Sequence, residues 1–207
     1  MNSQAELTTP RERYRNALRR DILDAAREAF VRDGFKEVSM RQLARKVGCS
    51  HANLYLHFKD KEDLFYCLVE ESFDQFGAGM RKRIESAKSD DPVALLRMAG
   101  RAYVEFGVAN PSVYEFAFLI RRPGRRPPGR SRPDKPHVTY ERMQALVQRC
   151  IEEKRFRRID IDAASQALWA AAHGITSLLI LRPTFGWVDR DKLIGQVIDA
   201  AVDALLA

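Results

Sequence analysis

The segment from Ser39 to Phe65, SMRQLARKVGCSHANLYLHFKDKEDLF, constrains the fold most, because it describes two short helices joined by a glycine turn. Apolar side chains recur in it at i, i+3, i+4 and i+7, which is one face of a helix; they are Met40, Leu43, Ala44 and Val47. Gly48 follows the last of them, where glycine adopts a left-handed turn at no cost. The pattern predicts a helix that ends at this glycine and a second helix after it.

The second helix is predicted to present a polar face. Ser39 and Ser50 can each cap a helix by accepting a hydrogen bond from a free backbone N–H. Leu54 and Phe58 face inward, which leaves the other side to Ser50, His51, Ala52, Asn53, Tyr55, Leu56 and His57. A short polar helix on a rigid support is what reading the DNA major groove requires. A helical hairpin inside an ordinary bundle is the alternative interpretation.

Helix-start signals recur along the rest of the chain. An amphipathic first helix ends near Gly34, and later helices are predicted to begin at Asp60, Asp91-Pro92, Asn110-Pro111, Val138, Asp162 and Asp189. We therefore expect an all-α fold of about nine helices. A three-helix helix-turn-helix DNA-binding head comes first, and a helical ligand-binding and dimerisation bundle follows it. The predicted domains are a disordered, basic arm over 1–17, the DNA-binding domain over 18–62 and the bundle over 63–207.

Positive charge is concentrated in two segments. The net charge is +7, but residues 1–61 carry +5 and residues 121–136 carry +6, so the remainder is net −4. This asymmetry favours a nucleic-acid partner over a generally basic protein. The arginines at 11, 13, 15, 19 and 20 are either a solvated helix start or an arm that contacts phosphates or the minor groove. The proline-rich segment 121–136 is predicted to be a flexible basic loop, either a solvated linker or a DNA contact.

Other classes of site and location are less well supported. The three cysteines and four histidines show no metal-ligand spacing, so we expect no metal and no cofactor. Residues 1–10 lack the apolar core of a signal peptide, which favours a cytoplasmic protein. The uncharged stretch Ser165–Leu181 is about 17 residues long, below the roughly 20 that a membrane span needs. We expect a helix buried at a subunit interface and no membrane association.

The chain resembles the TetR family of transcriptional regulators. The carrying residues are ILDAAREAFVRDGF, VSMRQLARKVG and the run Leu54, Tyr55, Leu56, His57 and Phe58 followed by Lys61. The second half resembles the family branch named for a Trp-His-Gly motif, through Trp169, His173 and Gly174 and the segment YVEFGVANPSVY. Together the two resemblances cover most of residues 20–207.

The resemblance implies two kinds of DNA contact. It assigns phosphate contacts to Tyr55, His57 and Lys61, and base contacts to Arg41, Ser50, His51 and Asn53. The bidentate geometry of Arg41 suits guanine and that of Asn53 suits adenine. Leu56 is either a contact to a thymine methyl group or a packed side chain. The alternative interpretation of His51 and Asn53 is that they are ordinary surface residues.

The body is predicted to dimerise and to bind an effector. One head contacts few base pairs, so we expect a homodimer on a palindromic operator in double-stranded DNA, paired through the helices Asp162–Leu181 and Asp189–Leu206. Aromatic and polar side chains could line an apolar pocket for a small, largely hydrophobic effector; they are Phe73, Phe76, Tyr103, Phe106, Tyr114, Phe116, Phe118, Trp169 and His173, with Asn110 and Thr176. Plain core packing is the alternative.

Three functions compete at this level. A ligand-responsive repressor is the leading prediction. The second is an architectural or RNA-binding helical protein without an effector. The third is an enzyme whose basic head binds a phosphorylated substrate, which we disfavour because the sequence has no phosphate-cradling glycine loop and no evident nucleophile with its base.

Overall fold

The computed structural model describes residues 9–86, 89–120 and 138–207. Over these residues the chain is helical, and β structure is limited to one isolated bridge between Phe156 and Leu206. The helices are α1 (Pro10–Asp33), α2 (Met40–Lys46), α3 (His51–Tyr55), α4 (Lys61–Glu85), α5 (Pro92–Ala109), α6 (Pro111–Tyr114), a π-helical segment (Glu115–Leu119), α7 (Val138–Glu152), α8 (Ile161–Leu181) and α9 (Arg190–Asp203). The predicted all-α class is confirmed. The predicted basic loop over 121–136 lies outside the described residues.

The described helices belong to two compact units. Among the described residues, the first unit, called the head here, contains 9–70 and Ile120, and the second, called the body, contains 71–119 and 138–207. Helix α4 runs through the division, with its first ten residues in the head. The predicted functional boundary after residue 62 stays a prediction.

Helix α1 begins at Pro10, within the segment predicted to be a disordered, basic arm. Thr9 accepts a hydrogen bond from the N–H of Glu12, and the Glu12 carboxylate accepts one from the N–H of Thr9 at 2.8 Å. Pro10 occupies the first helical position, where its missing N–H costs nothing. This capping box makes residues 10–17 the first two turns of α1, so they are not a disordered arm. Residues 1–8 lie outside the described part of the chain.

Two helix ends in the body also differ from prediction. Helix α7 ends at Glu152 instead of Phe156, because Lys154 takes a left-handed conformation (φ 57°) and Phe156 joins the bridge to Leu206. Helix α8 is capped by Asp160, whose carboxylate accepts a hydrogen bond from Ala163 N at 2.8 Å, and not by Asp162.

The body core is centred on α8, which packs against α5, α7 and α9. One buried cluster joins α4, α5, α8 and α9 around Phe76, Tyr103 and Ile198. Another joins α5, α7, α8 and α9 around Val147 and Cys150. Among the described helices, α8 is the one long and apolar enough to span a membrane by length and composition, but a third of that stretch is buried within the protein.

Candidate DNA-binding site

Local capping interactions build the helix-turn-helix as predicted. The Ser39 hydroxyl caps α2 by accepting a hydrogen bond from Gln42 N at 3.3 Å, and the Gln42 side chain accepts one from Ser39 N at 2.7 Å. Gly48 has φ 69°, the left-handed turn that favours glycine. Ser50 caps α3 by accepting a hydrogen bond from Asn53 N at 3.1 Å. The two helices therefore begin and turn where the sequence predicts.

Buried apolar contacts fix which side of α3 faces outward. Leu54 and Phe58 are buried, as are Leu43 and Ala44 of α2. The opposite side of α3 and the residue after it are exposed, and Leu56 is 80% exposed. Leu56 is therefore not packed against the described part of the protein, and its contact with a thymine methyl group stays a prediction.

A groove adjoins α3 and brings several predicted DNA contacts together. It has a volume of about 380 Å³ and is open to solvent, and its lining residues are Lys36, Glu37, Val38, Ser39, Met40, Arg41, His51, Tyr55 and Lys61. The rings of His51 and Tyr55 meet edge to face at 4.9 Å. Arg41, His51, Tyr55 and Lys61 thus line one groove.

A basic surface of α1 lies close to the end of α3. The guanidinium of Arg19 lies 5.2 Å from the centroid of the Phe58 ring, and it donates a hydrogen bond to Cys67 Sγ at 3.6 Å. Partial burial lowers the pKa of His57, and the nearby charges of Arg15 and Arg19 lower it further. His57 therefore lies near the positive charges of Arg15 and Arg19, a proximity that the sequence pattern alone did not reveal.

Lys61 contacts other residues of the head, and its predicted phosphate contact stays a prediction. Its Nζ donates hydrogen bonds to the carbonyl oxygens of Phe35 at 2.8 Å and Val38 at 2.9 Å, in the turn between α1 and α2. The same Nζ lies 4.4 Å from the centroid of the Phe35 ring. The ammonium group is thus bonded within the head.

The predicted effector-binding residues form an aromatic cluster in the body. Phe76 packs edge to face against Tyr103, Phe106 and Phe118, with centroid distances of 4.9, 5.3 and 5.4 Å. Phe73 contacts Phe118 at 5.2 Å. Phe116, on the π-helical segment, is buried at 1% exposure.

Polar atoms meet inside this cluster. Trp169 Nε1 donates to Tyr103 Oη at 3.2 Å, Tyr103 Oη lies 3.1 Å from Tyr114 Oη, and Tyr114 Oη lies 2.6 Å from His173 Nδ1. An indole N–H can only donate, and each hydroxyl has one hydrogen. All three hydrogen bonds can form together when Tyr103 donates to Tyr114 and Tyr114 donates to a neutral His173. Burial lowers the pKa of His173 and raises that of Tyr114 to about 12, which keeps both groups neutral.

One face of α8 is uncharged and largely exposed. The residues on it are spaced by three and four, and they are Ala163, Ala167, Ala170, Gly174, Leu178 and Leu181. Leu178 is 49% exposed and Leu181 is 58% exposed. A Cβ at Gly174 would meet no atom of the described residues within 4 Å, so packing within one copy of the chain does not require glycine there.

Two family models match this chain. The one described as bacterial regulatory proteins of the tetR family matches residues 22–66. The one described as the tetracyclin repressor-like C-terminal domain matches residues 96–205, more than half of the chain. The predicted Trp-His-Gly branch stays a prediction.

Similar proteins include two bacterial regulators. The HTH-type transcriptional repressor Rv1474c of Mycobacterium tuberculosis is 37% identical over 62 residues, which is 30% of this chain and 33% of that protein. The fatty acid metabolism regulator protein of Bacillus subtilis is 33% identical over 76 residues, 36% of this chain and 39% of that protein. The matched segment thus spans little more than a third of these relatives.

Solved structures resemble the fold along nearly the whole chain. A tetR-family regulatory protein from Rhodococcus RHA1 has a TM-score of 0.72 and 18% identity, covering 92% of this chain and 98% of that one. A protein of unknown function from Rhodococcus sp. RHA1 has a TM-score of 0.75 and 23% identity, covering 99% and 100%. At these identities the likeness concerns the fold.

Proposed function

The chain belongs to the TetR family of DNA-binding transcriptional regulators, and we propose that it is a dimeric repressor of a palindromic operator, released by a small hydrophobic effector. The observation that carries the proposal is the exposed side of α3, which is held outward by the buried Leu54 and Phe58. A transcriptional regulator of this kind works in the cytoplasm and catalyses no reaction.

We assign separate roles to the residues of the head. Arg41, Ser50, His51 and Asn53 read base edges, and Tyr55 and His57 contact phosphates. The Ser50 oxygen already accepts the capping hydrogen bond from Asn53 N, so its O–H remains available as a donor. The basic residues of α1 approach phosphates from a helix, because residues 10–17 are not an extended arm that could enter the minor groove.

We propose that the dimer forms through α8 and α9. The uncharged face of α8 continues past its end in Phe185 and Val188, which are 61% and 63% exposed. On α9, Leu193 and Val197 are partly buried. Pairing these faces with their copies makes a four-helix interface and buries apolar area that a monomer leaves in water.

A charge on α8 tests this interface. Gly174→Arg has room within one copy of the chain, so it should leave the fold intact and shift a dimer to a monomer in sedimentation at micromolar concentration. Ala145→Arg, on the exposed face of α7, is the matched control and should stay dimeric. An unchanged dimer in Gly174→Arg would reject the proposed interface.

The proposed effector site is the aromatic cluster of the body. The cluster is apolar around Phe76 and Phe118 and presents polar atoms at Tyr114 and His173. The Bacillus subtilis relative is named as a regulator of fatty acid metabolism. We therefore propose a fatty-acyl compound as the effector, bound at this cluster near His173. The effector can weaken DNA binding only as far as its affinity differs between the state that binds the operator and the state that does not.

Selection of preferred sites from a random duplex pool tests the central proposal. The full-length protein should enrich a palindrome, and Asn53→Ala should relax the preference at one symmetric pair of positions by about 1–3 kcal/mol. Leu56→Ala is the control at an exposed neighbouring position and should keep the preferences of the other bases. Duplex binding without enrichment of any sequence would instead favour the architectural or RNA-binding function, because architectural binding tolerates any sequence.

A further inference from the structure

Lys61 is the first residue of α4, and its side chain is bonded to the turn between α1 and α2. Besides the two shorter hydrogen bonds to Phe35 and Val38, Nζ lies 3.4 Å from the carbonyl oxygen of Lys36. An ammonium group has three N–H donors. Three backbone oxygens of one turn therefore engage all three donors of this lysine.

An aromatic contact reinforces these hydrogen bonds. The Phe35 ring, which faces the ammonium group, packs edge to face on Phe65 at 5.1 Å and lies 5.5 Å from Phe30. Phe65 is one helical turn beyond Lys61 on α4. The start of α4 therefore contacts the turn after α1 through both the Lys61 ammonium group and the Phe65 ring.

The position of this lysine is explained by the turn and not by the helix that carries it. The amino end of a helix has a partial positive charge, which disfavours a cation. Glu62 and Asp63 in the same helical turn follow the usual preference for acidic residues. The carbonyl dipoles of residues 35, 36 and 38 supply the negative charge that compensates Lys61.

The turn held by Lys61 leads directly into the proposed reading surface. Val38, whose carbonyl oxygen accepts from Lys61, precedes Ser39, the cap of α2. Arg41 is two residues further on, and these residues line the groove beside α3. We propose that Lys61 is a positioning residue that sets the start of α2 for base reading, instead of a phosphate contact. This inference rests on the proposed DNA-binding function.

The salt dependence of binding separates the two roles. A lost phosphate contact lowers the slope of log affinity against log salt by about 0.9 for duplex DNA. For Lys61→Met we expect an unchanged slope, operator binding weaker by about tenfold, and an unfolding temperature of the DNA-free protein lower by roughly 5 °C. Lys59→Met, at an exposed position two residues earlier, should leave the unfolding temperature unchanged. A slope reduced by about 0.9 in Lys61→Met, with no change in unfolding temperature, would overturn the proposal.

Amine labelling of the unmodified protein gives a second test that needs no variant to fold. Brief reductive methylation followed by mass spectrometry should modify Lys61 more slowly than Lys59 in the absence of DNA, and operator DNA should add no protection at Lys61. Equal rates without DNA, with protection of Lys61 by DNA, would overturn the proposal. Failure of the wild-type protein to bind any duplex would reject the DNA-binding function, whereas the DNA-free labelling and unfolding still test the Lys61 contact.

Discussion

Tyr114 Oη lies 2.6 Å from His173 Nδ1, which links the end of α6 to the middle of α8. Tyr114 is fully buried, and the two rings are 5.6 Å apart. The hydroxyl can donate to this nitrogen only while His173 is neutral. The contact therefore ties the packing of the body to the protonation state of one histidine.

The first prediction concerns the pH dependence of the free energy of unfolding. Burial places the pKa of His173 below its ordinary 6.5 in the folded protein. Above about pH 6.5 the histidine is neutral in both the folded and the unfolded protein, and its contribution to the free energy of unfolding is fully present. As the pH falls, the unfolded chain takes up the proton first, so this contribution is lost as the pH drops through the folded pKa.

Denaturant unfolding of His173→Asn between about pH 7.5 and 5 checks this sign. Asparagine can accept from Tyr114 but does not titrate in this range. The stability difference between wild type and variant should shrink as the pH falls. A difference that stays constant or grows would contradict the neutral state of His173, and comparison with His51→Asn, at an exposed position on α3, controls for other histidines.

Gly107 on α5 provides a second prediction, on stability. A Cβ there would overlap Thr176 Cγ2 and lie 2.8 Å from Tyr114 Cδ2. Alanine favours helices over glycine by about 1 kcal/mol, but overpacking a core costs about 1–3 kcal/mol. We expect Gly107→Ala to lower the free energy of unfolding, as measured by denaturant titration.

Thr176→Ser tests the cause of this destabilisation. It removes the overlapped Cγ2 and keeps the hydroxyl, which donates to Ala172 O at 2.7 Å. Combined with Gly107→Ala, it should recover part of the lost stability, so the two changes should not be additive. Simple additivity would show that the overlap is relieved in another way.

The third prediction concerns ion pairs between α5 and α9. Asp199 accepts hydrogen bonds from Arg97 at 3.1 Å and from Arg101 at 2.6 Å, and Arg97 also pairs with Asp203. A double-mutant cycle of Arg101→Ala and Asp199→Ala should give a coupling energy of about 0.2–1 kcal/mol, because these groups are partly exposed. The coupling should fall in 1 M salt, where screening acts over about 3 Å. A coupling energy that does not change with salt would show that the Arg101–Asp199 interaction is not mainly electrostatic.

Features set by neighbouring residues could be predicted from the sequence. The caps at Ser39 and Ser50, the left-handed Gly48 and the burial of Leu54 and Phe58 each depend on a few adjacent positions. Helix periodicity and capping chemistry act over the same short range. The helix-turn-helix can therefore be predicted from the sequence.

Features set by distant residues could not be predicted in this way. Lys61 meets carbonyl groups 23 to 26 residues earlier in the chain, and sequence spacing says nothing of such a contact. A family resemblance assigns a residue a role from its position in a motif. It does not show which groups the side chain contacts in this protein. Asp160 and Asp162 are two equally plausible caps for α8, and only the backbone geometry distinguishes them.

The last prediction concerns the pH dependence of DNA binding through His57. In the DNA-free protein, partial burial and the charges of Arg15 and Arg19 lower its pKa, so it is neutral near pH 7. A phosphate beside it favours the protonated form and raises the pKa in the complex. Binding should then take up a proton, so operator affinity should increase as the pH falls through the region around 6.5.

Operator titrations of wild type and His57→Gln at several pH and salt values measure this linkage. Below about pH 6 the wild-type salt slope should exceed that of the variant by about 0.9, because the added charge releases one more counterion. Near pH 8 the two slopes should agree, since neutral His57 carries no charge to release. His51→Gln, on α3, is the control and should keep the wild-type pH dependence. If His57→Gln kept that dependence as well, the proton would be taken up elsewhere and His57 would not contact a phosphate.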